Sequence, residues 1–469
     1  MASIDEGNAK SAPSSETEAL LESQSLLAQE SADYDTYTWV TWRKIAVLAV
    51  VSFACFNDVL GASIVTPAVP QIMEDFHVSN PSLSNLLVTV HVIGFAIGPL
   101  FVSPASELWG RDVLMHASNF IFLASTIACA ISPDIPVLIA SRVIMGMAGT
   151  IPSVVEGGYI ADLVPLQNRG KFIAIWTLSP LIGAVVGPII GGFMALKTGW
   201  RSVFWFMTIP SGLQAVASIF VLRKTDELSI SQQTGNNEEE EIEDPAINRW
   251  SLFKNAFTRP AKLALESPIV ITSALNITMG FVIFYFMISN LPVIYSDMYG
   301  FNSAQIGLAY MSPTIGCLLA ISIVGFVSDI VLERRMIARG KSKPTDRLFL
   351  LIPSNIVIAV GTICYGWSLQ ANLHWIIPLI AIAFTNVGVC SVMLSIHPFL
   401  TDYFGSSVPN AIAVSNILRS AFGALLPLAS APLYRALGYG WGNSFLGLIA
   451  LSFTSTAWIL HKSVEQGNS

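Results

Sequence analysis

The chain has 469 residues, of which 53% are hydrophobic and only 12% charged. Soluble domains carry roughly 25% charged residues, and a soluble chain of this length needs polar coats for two or three domains, so this composition excludes an ordinary soluble fold and leaves lipid as the solvent of the outer face. The net charge of −7 comes largely from two polar segments and argues for no cationic substrate, and no basic cluster suggests nucleic acid as a partner.

Residues 1–43 are polar and Ser/Glu-rich, with no apolar core of a cleavable signal, so they are expected to form a disordered cytoplasmic tail. Glu16 to Leu21 and Glu22 to Leu27 match acidic dileucine sorting patterns, which keep a vacuolar membrane open beside the expected plasma membrane. A span needs about 20 apolar residues. Such stretches lie near 44–66, 86–104, 113–131, 137–160, 174–195 and 202–222, here spans 1 to 6. A second set lies near 268–291, 304–329, 348–369, 374–398, 410–434 and 440–461, spans 7 to 12. The expected fold is thus an all-α membrane protein of about twelve transmembrane helices. Its two six-helix halves, 44–222 and 267–461, are joined by a polar linker, 223–266, in which Glu238 to Asp244 are mostly acidic, and followed by a cytoplasmic tail, 462–469. The five cysteines, Cys55, Cys129, Cys317, Cys364 and Cys390, lie in apolar stretches without a Cys-x-x-Cys pair. They read as packing residues, and no metal site is expected.

Loops after even-numbered spans hold Arg111, Arg169, Lys171 and the run from Arg334 and Arg335 to Arg347; those after odd-numbered spans hold only Lys197, Arg201 and Arg435. The positive-inside asymmetry puts the even-numbered loops and both termini in the cytoplasm. Matching positions after spans 2 and 8 also carry a serine followed by an acid, Ser106-Glu107 and Ser328-Asp329, with arginine shortly beyond. That placement reads as an internal repeat of pseudo-symmetric halves.

Three segments carry chemistry. Gly98 to Arg111 ends span 2, where Gly110 permits a tight turn and Glu107 can meet a helix N-terminus and a basic partner. Such a cluster, with Asp162, Asp329, Arg334 and Arg335, can act as a conformational latch. Arg142 lies in span 4 with Gly146, followed by Gly157, Gly158 and Asp162. An arginine inside a span costs roughly 2.5–3.5 kcal/mol on insertion scales and should face a cavity or an acid. Gly183, Gly187 and Gly191, with Pro188 and Gly192, give span 5 a flat face at four-residue spacing and a bend.

On these segments the chain resembles the major facilitator superfamily, and within it the fungal twelve-span drug:proton antiporters, over about 45–461. In that family the first segment resembles the span 2–3 loop signature, although Asp112 stands where a basic residue is usual. The arginine of the second is implicated in proton coupling, and the third is similar to the antiporter signature, implying a hinge between the halves. Ser415 to Gly423 looks like span 11 of fungal efflux proteins. The resemblance also implies that spans 1, 4, 7 and 10 line the central cavity.

Asp58 lies roughly 21 Å from the cytoplasmic edge and Arg142 roughly 22 Å, with His91 similar. Asp58 and Arg142 are therefore expected to pair with His91 nearby, either as the proton carrier or as a static pair closing the outer cavity. Glu156 either contacts a cationic substrate or takes a proton, or joins Asp162 in the cytoplasmic cluster. Arg419, in mid-span 11 beside Asn416, either meets an anionic substrate or serves as counter-charge to His397 or Asp402, a structural or coupling role being preferred. Phe281 and Tyr285 are candidate cavity walls, and Asn57, Asn276 and Asn290 candidate ligand contacts.

The expected function is a proton-coupled antiporter that exports small organic compounds (drugs, toxins or secondary metabolites) by alternating access as a monomer, with a proton gradient in place of a cofactor. No P-loop motif supports ATP use, and no catalytic motif an enzyme. The alternatives are an organic acid transporter for citrate- or itaconate-like substrates, and a non-transporting membrane sensor.

Overall fold

The computed structural model describes residues 41–78, 80–164, 169–222, 258, 262–339, 344–404 and 408–467. The acidic run 238–244 and nearly all of the predicted tail and linker lie outside the described residues, as do the side chains of Glu107, Asp162 and Asp329.

The helices follow from capping and turn chemistry at their ends. Span 1 is Thr41–Ser63, extended by a 3-10 turn, Thr66–Ala68, and a short helix, Val69–Asp75. Asn80 opens span 2, Pro81–Trp109, by accepting from Ser82 N at 3.0 Å, with Pro81 in the first turn. Asp134 caps span 4, Ile135–Leu163, through Val137 N at 2.9 Å. Gly110, at φ 80°, is the whole connection between span 2 and span 3, Arg111–Ala130. That backbone angle strains any residue with a Cβ, so the tight turn read from the sequence is built on the residue that allows it.

Spans 5, 6 and 7 are Arg169–Thr198, Trp200–Leu222 and Pro268–Tyr299. Span 8 is interrupted at Tyr310 between Ser303–Ala309 and Met311–Arg339, and a reciprocal Asn302–Gln305 capping box starts it. Because that helix continues to Arg339, Arg334 and Arg335 stand on helix rather than in a loop. Spans 9 and 10 are Leu351–Gln370 and Ile376–Phe404.

Eleven described runs have the length and composition to cross a bilayer, and the last, Ala411–Leu460, is 50 residues long. At 1.5 Å per residue that is about 75 Å, far more than one ~30 Å crossing. The run divides at Gly438, whose φ of 72° and ψ of 174° break the helix Ser430–Ser452. Spans 11 and 12 meet there, which yields twelve crossings in two six-helix halves.

Residues Val50–Ser469 form one compact unit, and the described residues before it are the start of the first helix. Within this unit, span 2 packs on span 4, span 3 on spans 4 and 6, and span 9 on spans 10 and 12. The halves meet along span 2 with span 11, and span 5 with span 8. Large apolar side chains such as Phe220, Ile209, Leu448 and Trp441 point outward, Phe220 being 77% exposed. In water these would be costly; in lipid they are the expected coat.

Candidate functional site

A cavity of about 330 Å³ lies between the halves, at the lower end of the range for small-molecule sites. Spans 1, 2, 5, 7, 8, 10 and 11 contribute lining residues, and span 4 contributes none among the described residues. This corrects the implied wall of spans 1, 4, 7 and 10. The physical reason is close packing: a Cβ on Gly146 of span 4 would lie 2.1 Å from His91 O, and one on Gly94 of span 2 would lie 2.3 Å from Met147 N. Span 4 is pressed against the back of span 2, which takes its place at the wall.

Of the expected cavity residues, Phe281, Tyr285 and Arg419 line the space. The Phe281 and Tyr285 ring centroids are 6.3 Å apart, and Phe284 joins them at 5.5 Å from Tyr285. The asparagines are used elsewhere. Asn57 donates to Pro210 O at 3.2 Å, meeting a carbonyl of span 6. Asn276 donates to Thr456 Oγ1 at 2.5 Å, joining spans 7 and 12. Asn416 is half-buried and is not among the lining residues.

Asn290 belongs to a junction that the sequence reading missed. Asn85 Nδ2 donates to Ser430 Oγ at 2.8 Å and to Asn290 Oδ1 at 3.3 Å, and Asn290 Nδ2 donates to Ser430 Oγ at 2.9 Å. Thr89 Oγ1 donates to Ala424 O at 2.9 Å, and Gln71 Nε2 to Ser303 Oγ at 3.1 Å. Except for Asn290–Ser430, which lies within the second half, these bonds join one half to the other at the end that the charge asymmetry assigns to the outside, so the outer end is fastened shut. Polar residues near span ends carry no sequence signal that separates a gate from a cap.

The buried charges are arranged differently from expectation. Asp58 pairs with His91, Oδ1 to Nε2 at 3.0 Å, and both are buried. Arg142, fully buried, donates from Nη2 to Ala62 O at 3.1 Å, while its Nε and Nη1 make no hydrogen bond among the described residues. The expected Asp58–Arg142 pair is therefore replaced by Asp58–His91. Equal depth did not decide the partner; rotation about the helix axes did. Gly149 shows how tightly this is set, since a Cβ there would lie 1.8 Å from Asp58 Oδ1. The pair sits just behind the cavity wall: Val59 and Val92, each next in sequence, line it, as does Phe95, whose ring is 5.3 Å from that of His91. Glu156 is buried and accepts from Cys55 Sγ at 3.6 Å, against span 1.

The glycine face of span 5 also serves two neighbours. Cβ atoms on Gly183, Gly187 and Gly191 would lie 2.8, 2.2 and 1.8 Å from Phe56 O, Ser63 Oγ and Ile64 O. The four-residue repeat therefore packs on span 1 within its own half. Only the Pro188–Gly192 side meets the other half: a Cβ on Gly192 would lie 2.4 Å from Ser303 O, and one on Gly307 2.2 Å from Pro188 O. Of the five expected hinge residues, Pro188 and Gly192 are thus the two seen against the other half.

At the opposite end, Gly98 packs on span 4, with a Cβ there 3.1 Å from Met147 O. The Arg111 guanidinium covers Gly158, whose Cβ would lie 2.3 Å from the guanidinium carbon. Tyr159 OH donates to the buried Asp112. Asp112, the departure from the usual basic residue, is an anchor between spans 3 and 4. Arg335 bonds Asp346 at 2.6 Å, and Arg347 pairs with Asp402, so these two arginines are engaged within their own half. Arg334 is exposed.

Residues 51–426 match the model of the Major Facilitator Superfamily, and the chain belongs to that family. It is similar to Efflux pump radE of Floropilus chiversii, 35% identical over 421 residues covering 88% of this chain and 78% of that one. It is likewise similar to MFS-type transporter tndD of Aspergillus flavipes, 36% identical over 436 residues covering 90% and 81%. Among solved structures, the partially occluded inward-open xylose transporter XylE of E. coli superposes with a TM-score of 0.61 at 17% identity, covering 88% of this chain and 98% of that one. That likeness concerns the fold alone. The chain is a multi-pass membrane transporter.

Proposed function

We propose that this transporter exports small organic compounds in exchange for protons, across the plasma membrane, by alternating access. The observation that carries the reading is the buried Asp58–His91 pair at 3.0 Å, one residue behind a cavity between the halves. A carboxylate and an imidazole that share a proton out of water can hold or release it as the cavity opens to either side, and intramembrane acids of this kind mark proton paths. Arg142 on the Ala62 carbonyl places a fixed positive charge in the same half. Several relatives carry transporter names, one of them an efflux pump, which favours export as the direction. The outer junction around Asn85, Asn290 and Ser430 then has to part for release, and the Pro188–Gly192 contact with Gly307 is the surface on which the halves turn.

The test uses the full chain in everted membrane vesicles with an acid interior, read by a fluorescent pH-gradient dye. Addition of rhodamine 6G, ethidium or 9-anthracenecarboxylate in turn is expected to dissipate the gradient for those compounds that also accumulate. In Asp58→Asn, proton movement should vanish while exchange of labelled for unlabelled compound persists. Full coupling in Asp58→Asn, or accumulation unaffected by collapsing the gradient, contradicts the proposal.

A further inference from the structure

Among the described residues that line the cavity, Arg419 is the one charged side chain. Its guanidinium carbon lies 4.4 Å from the centroid of the Phe281 ring, and Nη1 lies 3.9 Å from Met393 Sδ. Neither neighbour is charged. The ion pairs seen among the described residues, His91–Asp58, Arg201–Asp75, Arg335–Asp346 and Arg347–Asp402 among them, do not include Arg419. Of the two counter-charges expected for Arg419, His397 or Asp402, the Asp402 carboxylate pairs with Arg347.

The rest of the wall has the same bias. Thr66 Oγ1 donates to Ser63 O at 2.7 Å, Tyr310 OH to Ile288 O at 2.7 Å, and Asn386 Nδ2 to Pro313 O at 2.5 Å. Those donors are spent on backbone carbonyls. The Tyr285 hydroxyl is different: no hydrogen bond is recorded for it among the described residues, and its ring lies in the same wall as Arg419. Gly423, one helical turn beyond Arg419, makes room for that ring, since a Cβ there would lie 3.2 Å from Tyr285 Cδ2. Among the described residues, the polar groups left to meet a ligand are thus the Arg419 guanidinium, the Tyr285 phenol and the Thr314 and Ser420 hydroxyls, all able to donate and only the guanidinium charged, set among aromatic and aliphatic side chains.

We propose that the transported compound is an organic anion with one acidic group on a flat apolar body. Arg419 takes the acidic group in the paired geometry that a guanidinium offers a carboxylate or enolate, with Tyr285 donating a further hydrogen bond. Phe281, Phe284 and the aliphatic wall of spans 1, 2 and 5 take the body. A desolvated cation without a counter-charge is costly, and a bound anion relieves that cost. A citrate-like polyanion would leave charges unmatched against the apolar wall, and an organic cation would meet like charge. The inference rests on reading this cavity as the transport site, and is independent of proton coupling.

The probes are 9-anthracenecarboxylate, its methyl ester, 9-(aminomethyl)anthracene and citrate, with binding measured on the purified full chain in detergent without any gradient. Wild type should bind the carboxylate about tenfold or more tightly than the ester. It should bind the amine and citrate more weakly still. Arg419→Gln should bring carboxylate and ester to equal affinity, and Arg419→Lys should keep the sign of the preference, which separates loss of charge from loss of fold. Equal or weaker binding of the carboxylate by wild type, no binding of it at millimolar concentration, or an undiminished preference in a monodisperse Arg419→Gln overturns the proposal. Anion-selective binding without proton-driven transport would overturn the antiport reading instead and leave this one standing.

Discussion

Asp58 shows how far a single residue can be read from its position along the chain. A carboxylate about 14 residues into a span has few ways to be tolerated, so its importance was legible. Its partner was not, because depth is one coordinate and contact needs three. The side chain is confined on the span 4 side by Gly149, which yields a direct prediction. Gly149→Ala places a methyl where Asp58 Oδ1 now lies, so the carboxylate must leave His91. Proton-coupled accumulation in vesicles should fall about tenfold, the equivalent of losing a charged hydrogen bond, while the protein still inserts. Unchanged accumulation would disconnect the pair from transport. Asp112 makes the same point at the other end. As a letter it was a departure from the family pattern; in space it accepts from Tyr159 while buried. Tyr159→Phe removes that hydrogen bond to a buried carboxylate and should cost about 1–3 kcal/mol, seen as a lower unfolding temperature in detergent.

Among the elements, span 5 carries the clearest periodicity, yet periodicity alone did not say which helix the flat face meets. Gly183, Gly187 and Gly191 hold span 1, and Gly192 with Pro188 holds span 8. Substitutions on the two sides should therefore fail differently. Gly191→Val faces Ile64 O inside one half and should reduce the yield of folded protein, measured by size-exclusion chromatography of a fluorescent fusion. Gly307→Val faces Pro188 O across the halves and should leave folded yield near wild type while slowing transport, since it obstructs close approach between moving parts. Identical phenotypes for the two would remove the distinction between packing face and turning face. The division of the last 50-residue run at Gly438 is likewise a property of one backbone angle rather than of composition.

For the whole molecule, the fastening of the outer end is the feature with functional weight. Gln71 and Ser303 belong to different halves and touch at 3.1 Å. Cysteines at both positions, in a background lacking the native five, should crosslink under mild oxidation and stop transport, with recovery on reduction. Transport that continues through a quantitative crosslink would exclude separation of the halves at this end. Removing the polar junction should act in the opposite sense. Asn85→Ala deletes the bonds to Asn290 and Ser430 across the halves, present only when the outer end is closed and each worth about 1 kcal/mol, so the outward-open population should rise several-fold in spin-label distance distributions.

The amino-acid sequence by itself determined the solvent, the number of crossings, the division into halves, the tight turn at Gly110 and the presence of costly charges inside the membrane. Each of these is a one-dimensional quantity: an apolar length, a loop charge, a residue whose burial is expensive. Tertiary structure decided that His91 rather than Arg142 meets Asp58, that span 2 displaces span 4 from the cavity wall, that Asn57, Asn276 and Asn290 bond elsewhere, and that Arg419 stands in the cavity with no acid among the described lining residues. Those outcomes depend on helix rotation and interhelical distance. In a bundle whose spans are apolar on nearly every face, the hydrophobic pattern that would reveal rotation in water is largely absent, and only packing sets it.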